Sequence, residues 1–411
     1  MQDNEKKPAL RFKGFTDPWE QRKLGEIAKE VVRNDPASDA PIMMITAGNG
    51  FIEQSDRYAF NNAGESLKKY ILLECGELAY NHGASKLRPY GSCFALTTVE
   101  KARIPFVYHC FSVEKSNPEF LSIELNGANV ENQLRKIVSS GARMDGLLNI
   151  AYSEYTEVTV QLPKKEEQDW IAKFFKHLDT LITLHQRKYE KLVNIKKSML
   201  DKMFPKNGAS VPEIRFKGFT DPWEQRKLEE YLEVSGQKNF EGIYTKEDVL
   251  SVSGDFGIVN QIEFQGRSFA GASVANYGVV ETGDIVYTKS PLKSNPYGII
   301  KANKGKNGIV STLYAVYKPK QSANPEFVQI YFEQDARMNN YMHPLVNKGA
   351  KNDMKVSAEN ALKGQIVFPD IKEQRTISEF FRNLDTLITL HQRKLEKLQN
   401  IKKSCLEKMF V

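Results

Sequence analysis

The sequence predicts an α+β protein in which two similar mixed α/β domains are separated by a long antiparallel two-helix coiled coil, with pseudo-two-fold symmetry. Two internal repeats carry this prediction. The block Leu178–Lys188 recurs letter for letter as Leu384–Lys394, and the block Arg11–Leu24 recurs as Arg215–Leu228. A heptad pattern surrounds each copy of the first block. The order is therefore domain, heptad helix, domain, heptad helix.

The repeats define four segments. The first domain covers residues 1–165 and the first heptad helix covers 166–206. A linker and the second domain cover 207–371, and the second heptad helix covers 372–411. A chain of 411 residues is long enough for two or more domains that each bury a core.

Composition excludes several classes of protein. Hydrophobic content of 41% and charged content of 27% are typical of a soluble globular protein. No apolar run approaches the roughly 18 residues of a membrane helix, and residues 1–9 lack a signal-peptide core. Cys75, Cys93, Cys110 and Cys405 have no paired spacing, which predicts free thiols in a reducing cytoplasm. The net charge of +7 is compatible with a polyanionic partner but does not establish one.

Each domain alternates short apolar runs with turn signals, the pattern of a mixed α/β fold. A helical segment is expected after the Asn-Pro pair at the start of 117–137. Trp19 and Trp223 are predicted to anchor the opening blocks by packing, although the positive charges of those blocks suit phosphate as well. Strands are predicted at Ile42–Thr46, Thr156–Leu162, Leu250–Ser253 and Ile285–Tyr287.

The two domains share turn residues and aromatics but differ at most other positions. Gly76, Tyr80 and Tyr90, for example, return as Gly283, Tyr287 and Tyr297. Either the copies drifted after duplication, or they fold alike and bind different targets. The second interpretation is favoured because the joining helices have hardly changed, whereas uniform drift would have altered both.

Both helices carry a stripe whose members are spaced alternately three and four residues apart. This period of 3.5 predicts a coiled-coil seam along a rod of roughly 58 Å. The predicted seam comprises Leu178, Ile182, His185, Tyr189, Leu192 and Met199 in the first helix and Leu384, Ile388, His391, Leu395, Leu398 and Cys405 in the second.

The two stripes are expected to bury each other. The short linker Pro205–Pro212 favours antiparallel over parallel pairing, with one domain at each end of the rod. His185 and His391 invite interpretation as metal ligands, but neither has an acidic or cysteine partner at ligand spacing. A polar seam residue that sets the helix register is the preferred interpretation, and no metal site is predicted.

Catalytic signatures are incomplete. Residues 294–297, Ser-Asn-Pro-Tyr, lack the second proline of the catalytic loop of DNA amino-methyltransferases, and no glycine-rich cofactor loop accompanies them. The segment 298–307 has the wrong spacing for a phosphate-binding loop. Residues 353–355 form half of a nuclease-like pattern without its upstream acid. The sequence therefore predicts a binding protein with no catalytic residues and no cofactor.

Over essentially its whole length the chain resembles the DNA specificity subunit of type I restriction–modification systems. Three pairs of segments carry the resemblance: Phe-Thr-Asp-Pro-Trp-Glu-Gln-Arg-Lys-Leu at 15–24 and 219–228, Gly-Glu-Leu-Ala-Tyr-Asn at 76–81 with Gly-Asp-Ile-Val-Tyr-Thr at 283–288, and Glu-Glu-Gln at 166–168 with Lys-Glu-Gln at 372–374.

The resemblance implies that each domain is a target-recognition domain for one half of an asymmetric, bipartite site in double-stranded DNA. The helices would form the spacer and dock two methyltransferase (modification) subunits, and restriction subunits with translocase and nuclease activity would join them. The chain itself would hold no catalytic residue, since S-adenosylmethionine and ATP bind to the other subunits. Two alternatives remain open: a coiled-coil scaffold with two protein-binding domains, and an enzyme in its own right.

The candidate DNA-binding residues follow the shared turns at Gly76 and Gly283. Arginine and lysine donate to guanine or phosphate, asparagine pairs with adenine, and tyrosine packs against sugars or bases. The repeated tyrosines have an alternative role as core residues. The candidates are Tyr80, Asn81, His82, Lys86, Arg88 and Tyr90 in the first domain, Tyr287, Thr288, Lys289, Lys293, Asn295 and Tyr297 in the second, and Arg143 and Lys351 in a further loop of each.

Overall fold

The computed structural model describes residues 7–58, 64–138, 148–206, 208–289, 295–348 and 354–411. The chain forms two compact units, one of residues 1–185 with 394–411 and one of residues 186–393. Each unit thus holds one sheet-bearing module and part of each long helix. We call residues 7–164 module one and residues 208–370 module two. The sequence-based boundaries instead kept each helix as a separate segment.

The described residues of module one, 7–58, 64–138 and 148–164, form ten strands and three short α-helices. Its strands are β1 Glu20–Lys23, β2 Ala28–Glu30, β3 Met43–Thr46, β4 Gly50–Glu53, β5 Ile71–Glu74, β6 Leu78–Asn81, β7 Ser92–Ala95, β8 Lys101–Ile104, β9 His109–Val113 and β10 Thr159–Leu162, and its helices are α1 Pro118–Leu125, α2 Ala128–Ile137 and α3 Tyr152–Tyr155. A four-stranded antiparallel sheet has the order β2-β9-β6-β7. Three two-stranded ribbons, β1-β10, β3-β4 and β5-β8, surround it.

The long helix α4, Lys165–Lys202, follows module one. Module two then repeats the arrangement of strands found in module one. The strands are β11 Glu224–Lys227, β12 Leu232–Val234, β13 Leu250–Ser253, β14 Gly257–Asn260, β15 Gly278–Val280, β16 Ile285–Thr288, β17 Ile299–Ala302, β18 Gly308–Val310, β19 Tyr314–Pro319, β20 Asn347–Lys348, β21 Met354–Lys355 and β22 Gln365–Phe368, and the helices are α5 Gln261–Gln265, α6 Pro325–Tyr331, α7 Asp335–Met342 and the long α8, Ile371–Lys408.

The sheet order β12-β19-β16-β17 reproduces that of module one, and the ribbons β11-β22, β13-β14 and β15-β18 reproduce its three ribbons. Module two also contains the ribbon β20-β21, whose counterpart positions in module one lie almost entirely outside the described residues. The duplicated sequence is therefore a duplicated topology, which confirms the prediction of two similar mixed α/β domains.

The segment predicted as helical over 117–137 is two helices. Asn117 caps the first by accepting a hydrogen bond from the Phe120 amide at 2.9 Å, as the Asn-Pro start predicts. The break comes at Asn126, whose side chain hydrogen-bonds the Cys93 backbone: its Oδ1 accepts from the amide and its Nδ2 donates to the carbonyl. These hydrogen bonds to β7 end the first helix at a point where the sequence pattern predicted that the helix would continue.

The strand predicted over 156–162 begins only at Thr159, because residues 152–155 form the short helix α3. The Glu154 carboxylate accepts a hydrogen bond from the Ala151 amide and caps that turn. The other predicted strands form within one residue of their expected ends.

The repeated sequence motifs hold each long helix to its own module. Arg11 donates two hydrogen bonds of 2.7 Å to the buried carboxylate of Glu167 near the start of α4. Arg215 makes the same bidentate pair with Glu373 near the start of α8. These pairs support the structural interpretation of the arginine block over phosphate binding.

The glutamines of the same motifs make a second tie. The Gln168 side-chain oxygen accepts from the Asn117 amide at 2.8 Å, and Gln374 accepts from the Asn324 amide at 2.9 Å. The Glu-Gln pair at each helix start therefore joins the helix both to the opening arginine and to the first turn of α1 or α6.

Within each unit the two long helices, of 38 residues each, run antiparallel. In the first unit Phe175 of α4 lies 6.0 Å from Phe410, and Asp179 pairs with Lys402 of α8 at 2.5 Å. In the second unit the roles are exchanged: Phe381 of α8 lies 6.4 Å from Phe204, and Asp385 pairs with Lys196 of α4 at 2.7 Å. In both units the residue numbers rise along one helix as they fall along the other, which confirms the antiparallel alternative.

The predicted seam residues are all buried or half-buried, and their role as a coiled-coil seam stays a prediction. Leu178, Leu384 and Cys405 are buried. The remaining members are half-buried: Ile182, His185, Tyr189, Leu192, Met199, Ile388, His391, Leu395 and Leu398. That the two histidines set the helix register stays a prediction.

All four cysteines are free thiols, as predicted, and only Cys75 among them is exposed. Across the described residues, no helix combines the length and the apolar character needed to cross a membrane.

Candidate nucleic-acid interface

The paired tyrosines at the centre of each sheet are core residues. Tyr80 and Tyr287 are each 1% exposed, on the central strands β6 and β16. The Tyr80 hydroxyl donates to the Tyr90 carbonyl at 2.5 Å, and the Tyr287 hydroxyl donates to the Tyr297 carbonyl at 2.6 Å. Burial also raises the pKa of Tyr287 to about 12, so it stays a neutral donor.

These two hydrogen bonds depend on a glycine that follows Tyr90 and Tyr297. Gly91 and Gly298 have φ of +85° and +83°, a conformation that favours glycine. A Cβ on Gly298 would lie 1.7 Å from the Thr288 carbonyl oxygen, so no side chain fits there. The repeated Tyr-Gly pairs therefore preserve the fold, and the prediction that Tyr80 and Tyr287 contact DNA is corrected.

Three further candidates are also buried. The His82 ring lies between two carbonyl oxygens, with Nδ1 2.9 Å from Leu148 and Nε2 2.7 Å from Val107. Thr288 is buried at the end of β16, and the Asn295 amide donates to the Asp335 carboxylate at 2.7 Å. Thr288 faces the interior because every residue of β16 is buried. His82 and Asn295 lie outside the strands and are held by partners distant in the chain, which the sequence pattern does not reveal.

Four candidates are half-buried and take part in local structure. The Asn81 amide donates to the Ile45 carbonyl at 3.2 Å and accepts from the Gly83 amide at 2.9 Å. Arg88 donates to the Asn126 carbonyl at 2.6 Å, and burial lowers the pKa of its guanidinium. Tyr90 packs partly against the module-one core, and Tyr297 packs edge-on against His343.

Two candidate lysines remain at or near the surface. Lys86 is exposed in the β6–β7 loop, and Lys289 is half-buried directly after β16. Arg143, Lys293 and Lys351 lie outside the described residues. Of the first-module candidates within the described ranges, Lys86 is the one that is exposed and can meet a phosphate without rearrangement.

The structure brings the Lys86 loop together with a hairpin turn that the sequence analysis did not single out. The turn Thr46–Gly50 joins β3 to β4, and β4 lies beside β7. Leu87, which is 64% exposed, approaches Gly48 so closely that a Cβ there would lie 3.8 Å from its Cδ2. We call the turn Thr46–Gly50 and the loop Gly83–Leu87 together surface one.

Module two has the matching arrangement. The turn Ser253–Gly257 joins β13 to β14, and β14 lies beside β17, the strand that follows the second candidate loop. Phe256 is 68% exposed at this turn and lies 5.2 Å from the ring of Phe264. Nearby along the chain, the Arg267 guanidinium lies 4.5 Å from the ring centre of Phe269. We call the turn Ser253–Gly257 with Phe264 surface two.

Surface one contains a lysine and an amide, and surface two contains exposed aromatic rings. Such groups hydrogen-bond to phosphates and base edges or pack against bases and sugars. Over the described ranges, no group of three or more His, Cys, Asp or Glu side chains is placed to hold a metal ion.

Comparison with known proteins identifies the relatives of this chain. No family model matches the sequence. The chain is 22% identical to the putative type I restriction enzyme MjaX specificity subunit of Methanocaldococcus jannaschii, over 94% of this chain and 91% of that protein. The chain is therefore similar to a type I specificity subunit over nearly its whole length.

Two solved structures also match this chain. The S subunit of a type I restriction–modification system from M. genitalium matches with a TM-score of 0.55 at 13% identity, covering 98% of this chain and 99% of that one. The HsdS subunit from Thermoanaerobacter tengcongensis matches with a TM-score of 0.41 at 16% identity, covering 95% and 96%. The match to the M. genitalium S subunit shows that this chain has the same fold.

Proposed function

We propose that this chain is the sequence-specific DNA-binding subunit of a type I restriction–modification complex, in which each module binds one half of an asymmetric, bipartite site. One observation carries the proposal. The two modules have the same strand order, yet they present different side chains at matching exposed positions. Two identical surfaces would suit a symmetric site, whereas two different surfaces on one framework suit two different half-sites.

The long helices show the opposite pattern. Residues 178–188 and 384–394 are identical, so both helices present the same exposed side chains, among them Leu184 at 45% and Leu390 at 44% exposure. Identical surfaces suit two copies of one partner. This supports the docking of two methyltransferase subunits on the helices, with restriction subunits joining that core.

The chemistry divides between the chain and its partners. Lysine contacts with phosphates contribute affinity that salt weakens, and contacts with base edges contribute sequence preference. The chain itself acts without catalytic residues, so methyl transfer and cleavage belong to the other subunits. Its place of action is the cytoplasm, where the DNA target lies.

Selection from a library of randomised DNA duplexes tests the proposal. The purified full-length chain, alone and with its methyltransferase subunits, should enrich a motif of two unlike half-sites separated by an unread spacer. Half-sites on one face of the duplex are expected about one helical turn, roughly 10–10.5 base pairs, apart. A chain that binds no duplex even at low salt, alone or in the complex, would instead support the scaffold alternative.

Exchange of a module provides a second test. Replacing residues 231–368 with the matching segment of a relative should change one half-site and leave the other intact. The exchange keeps Phe204, Trp223 and Phe381, which belong to the same hydrophobic core but lie outside the exchanged segment. If both half-sites change together, the modules are not independent DNA-binding domains.

A further inference from the structure

The turns at the ends of two equivalent ribbons share one backbone design. The Thr46 hydroxyl accepts a hydrogen bond from the Asn49 amide at 3.3 Å, and the Ser253 hydroxyl accepts from the Phe256 amide at 3.2 Å. The strand pairing ends at Thr46 opposite Gly50 and at Ser253 opposite Gly257. The two ribbons therefore present the residue before the glycine in the same way.

The glycine completes this design. Gly50 has φ of +69° and Gly257 has φ of +74°, values in the left-handed region that favours glycine. Both glycines were already recognisable as a matched pair at a constant sequence offset of 207 residues. A side chain placed just before them lies at the tip of a turn whose backbone is the same in both modules.

The tip residues themselves are different. Asn49 is exposed at the first tip, and Phe256 is exposed at the second. Phe256 also rests against Phe264 of α5, whereas the short 3-10 turn at the matching place in module one, Gln54–Asp56, has no aromatic residue. A shared framework with an unlike, exposed residue at its tip is what two different half-specificities require.

The shape of these elements suits a groove of duplex DNA. A two-stranded β-ribbon fits the major groove, and β3-β4 and β13-β14 each form a separate two-stranded sheet. In module one the tip also lies beside the exposed Leu87, next to Lys86 in sequence, so a phosphate contact and a base contact are available from one surface.

From this geometry we infer that Asn49 and Phe256 are specificity-determining residues, each reading one base pair of its half-site. The inference rests on the proposed function. The Asn49 amide matches the N6 donor and N7 acceptor of adenine, to which it would hydrogen-bond with both of its polar atoms. The Phe256 ring has no donor or acceptor and matches the methyl group of thymine.

The test uses the full-length chain and the library of randomised duplexes. Asn49→Ala should reduce discrimination for adenine at one position of the first half-site by roughly 5- to 150-fold and leave the second half-site unchanged. Phe256→Ala should do the same for thymine at one position of the second half-site. Phe256→Asn should replace the thymine preference with a preference for adenine.

Matched controls separate these effects from general damage. Asn132→Ala removes an exposed asparagine from α2 of module one, and Phe240→Ala removes an exposed phenylalanine between β12 and β13 of module two. Both should leave the selected motif intact. Melting temperatures of all variants should match the wild type, because both tips are exposed.

The possible results test the role of the tip residues separately from the proposed function. If the wild-type chain enriches a bipartite motif and the tip variants enrich the same motif, the inference is wrong and the proposed function stands. If the wild-type chain enriches no motif, both are wrong. A change at one base pair of the expected half-site supports both.

Discussion

Phe410, just after the end of α8, packs edge-on against Trp19 of module one, with ring centres 6.0 Å apart and ring planes at 90°. Phe204, just after the end of α4, packs in the same way against Trp223 of module two, with ring centres 5.9 Å apart and ring planes at 88°. Each module is thus completed by an aromatic residue from the end of the helix that follows the other module in the chain. The core of module one is assembled from residues nearly the whole chain length apart.

We predict that Phe410→Ala destabilises module one by about 2–4 kcal/mol, because its ring also contacts Phe120 and Phe175 in that core. Hydrogen exchange on the full-length chain should show lost protection in module one and little change in module two. Phe204→Ala should give the mirror result, and Leu406→Ala, at an exposed position of α8, should have little effect. Equal loss of protection in both modules would contradict the assignment.

We predict that Arg11→Ala lowers the free energy of unfolding by about 3–5 kcal/mol, because it leaves the buried carboxylate of Glu167 without its cation. Arg11→Lys should restore only part of the stability, since lysine cannot make the two parallel hydrogen bonds. Denaturant unfolding of the full-length chain measures both.

The control for this pair is an exposed ion pair of the same module. Lys176→Ala breaks the contact with Glu119 and should cost less than about 1 kcal/mol. A double variant, Arg11→Met with Glu167→Leu, should be more stable than Arg11→Ala, because no unpaired charge is left buried. If Arg11→Ala and Lys176→Ala prove equally mild, the pair does not anchor the helix.

We predict that Glu124 makes module one less stable as the pH rises towards neutrality. Burial raises the pKa of this carboxyl to about 7, from 4.5, although its Oε1 accepts a hydrogen bond from the Gln161 amide at 2.9 Å. The folded pKa is the higher one, so the stabilisation by the protonated form is complete below pH 4.5 and is lost as the pH rises through 7.

Thermal unfolding between pH 4.5 and 8 checks the effect, which amounts to at most about 3 kcal/mol. Glu124→Gln keeps the acceptor and removes the charge, so it should flatten this pH dependence and be more stable than the wild type at pH 8. Glu114→Gln, at an exposed position, should keep the wild-type slope. An unchanged slope in Glu124→Gln would show that the carboxyl does not titrate in this range.

We predict that Lys86→Ala weakens binding to all duplexes alike and lowers the slope of log affinity against log salt by about one, because one phosphate contact is lost. Binding isotherms at several salt concentrations measure the slope. Lys115→Ala removes an exposed lysine between β9 and α1 and should leave the slope unchanged. A changed base preference in Lys86→Ala would indicate a base contact in place of a phosphate contact.

The sequence alone predicted the two similar domains, the antiparallel helices and the similarity to type I specificity subunits. Periodicity and repetition are local or one-dimensional signals, so the heptad stripe and the matched blocks could be recognised without coordinates. The Asn-Pro helix starts at Asn117 and Asn324 are local in the same sense, since the capping side chain and the amide it accepts from are three residues apart.

The tertiary structure showed which candidate residues are buried in the core and which are exposed and can contact DNA. Tyr80 and His82 lie among plausible DNA-binding residues in sequence, but their partners Tyr155, Leu148 and Val107 come from distant segments, and these long-range contacts bury them. The exposed Asn49 carries no sequence signal beyond the glycine after it. Burial depends on contacts between segments far apart in the chain. The sequence pattern does not show these contacts, so it pointed to repeated residues such as Tyr80 as DNA-binding residues and missed the tip residues that differ between the modules.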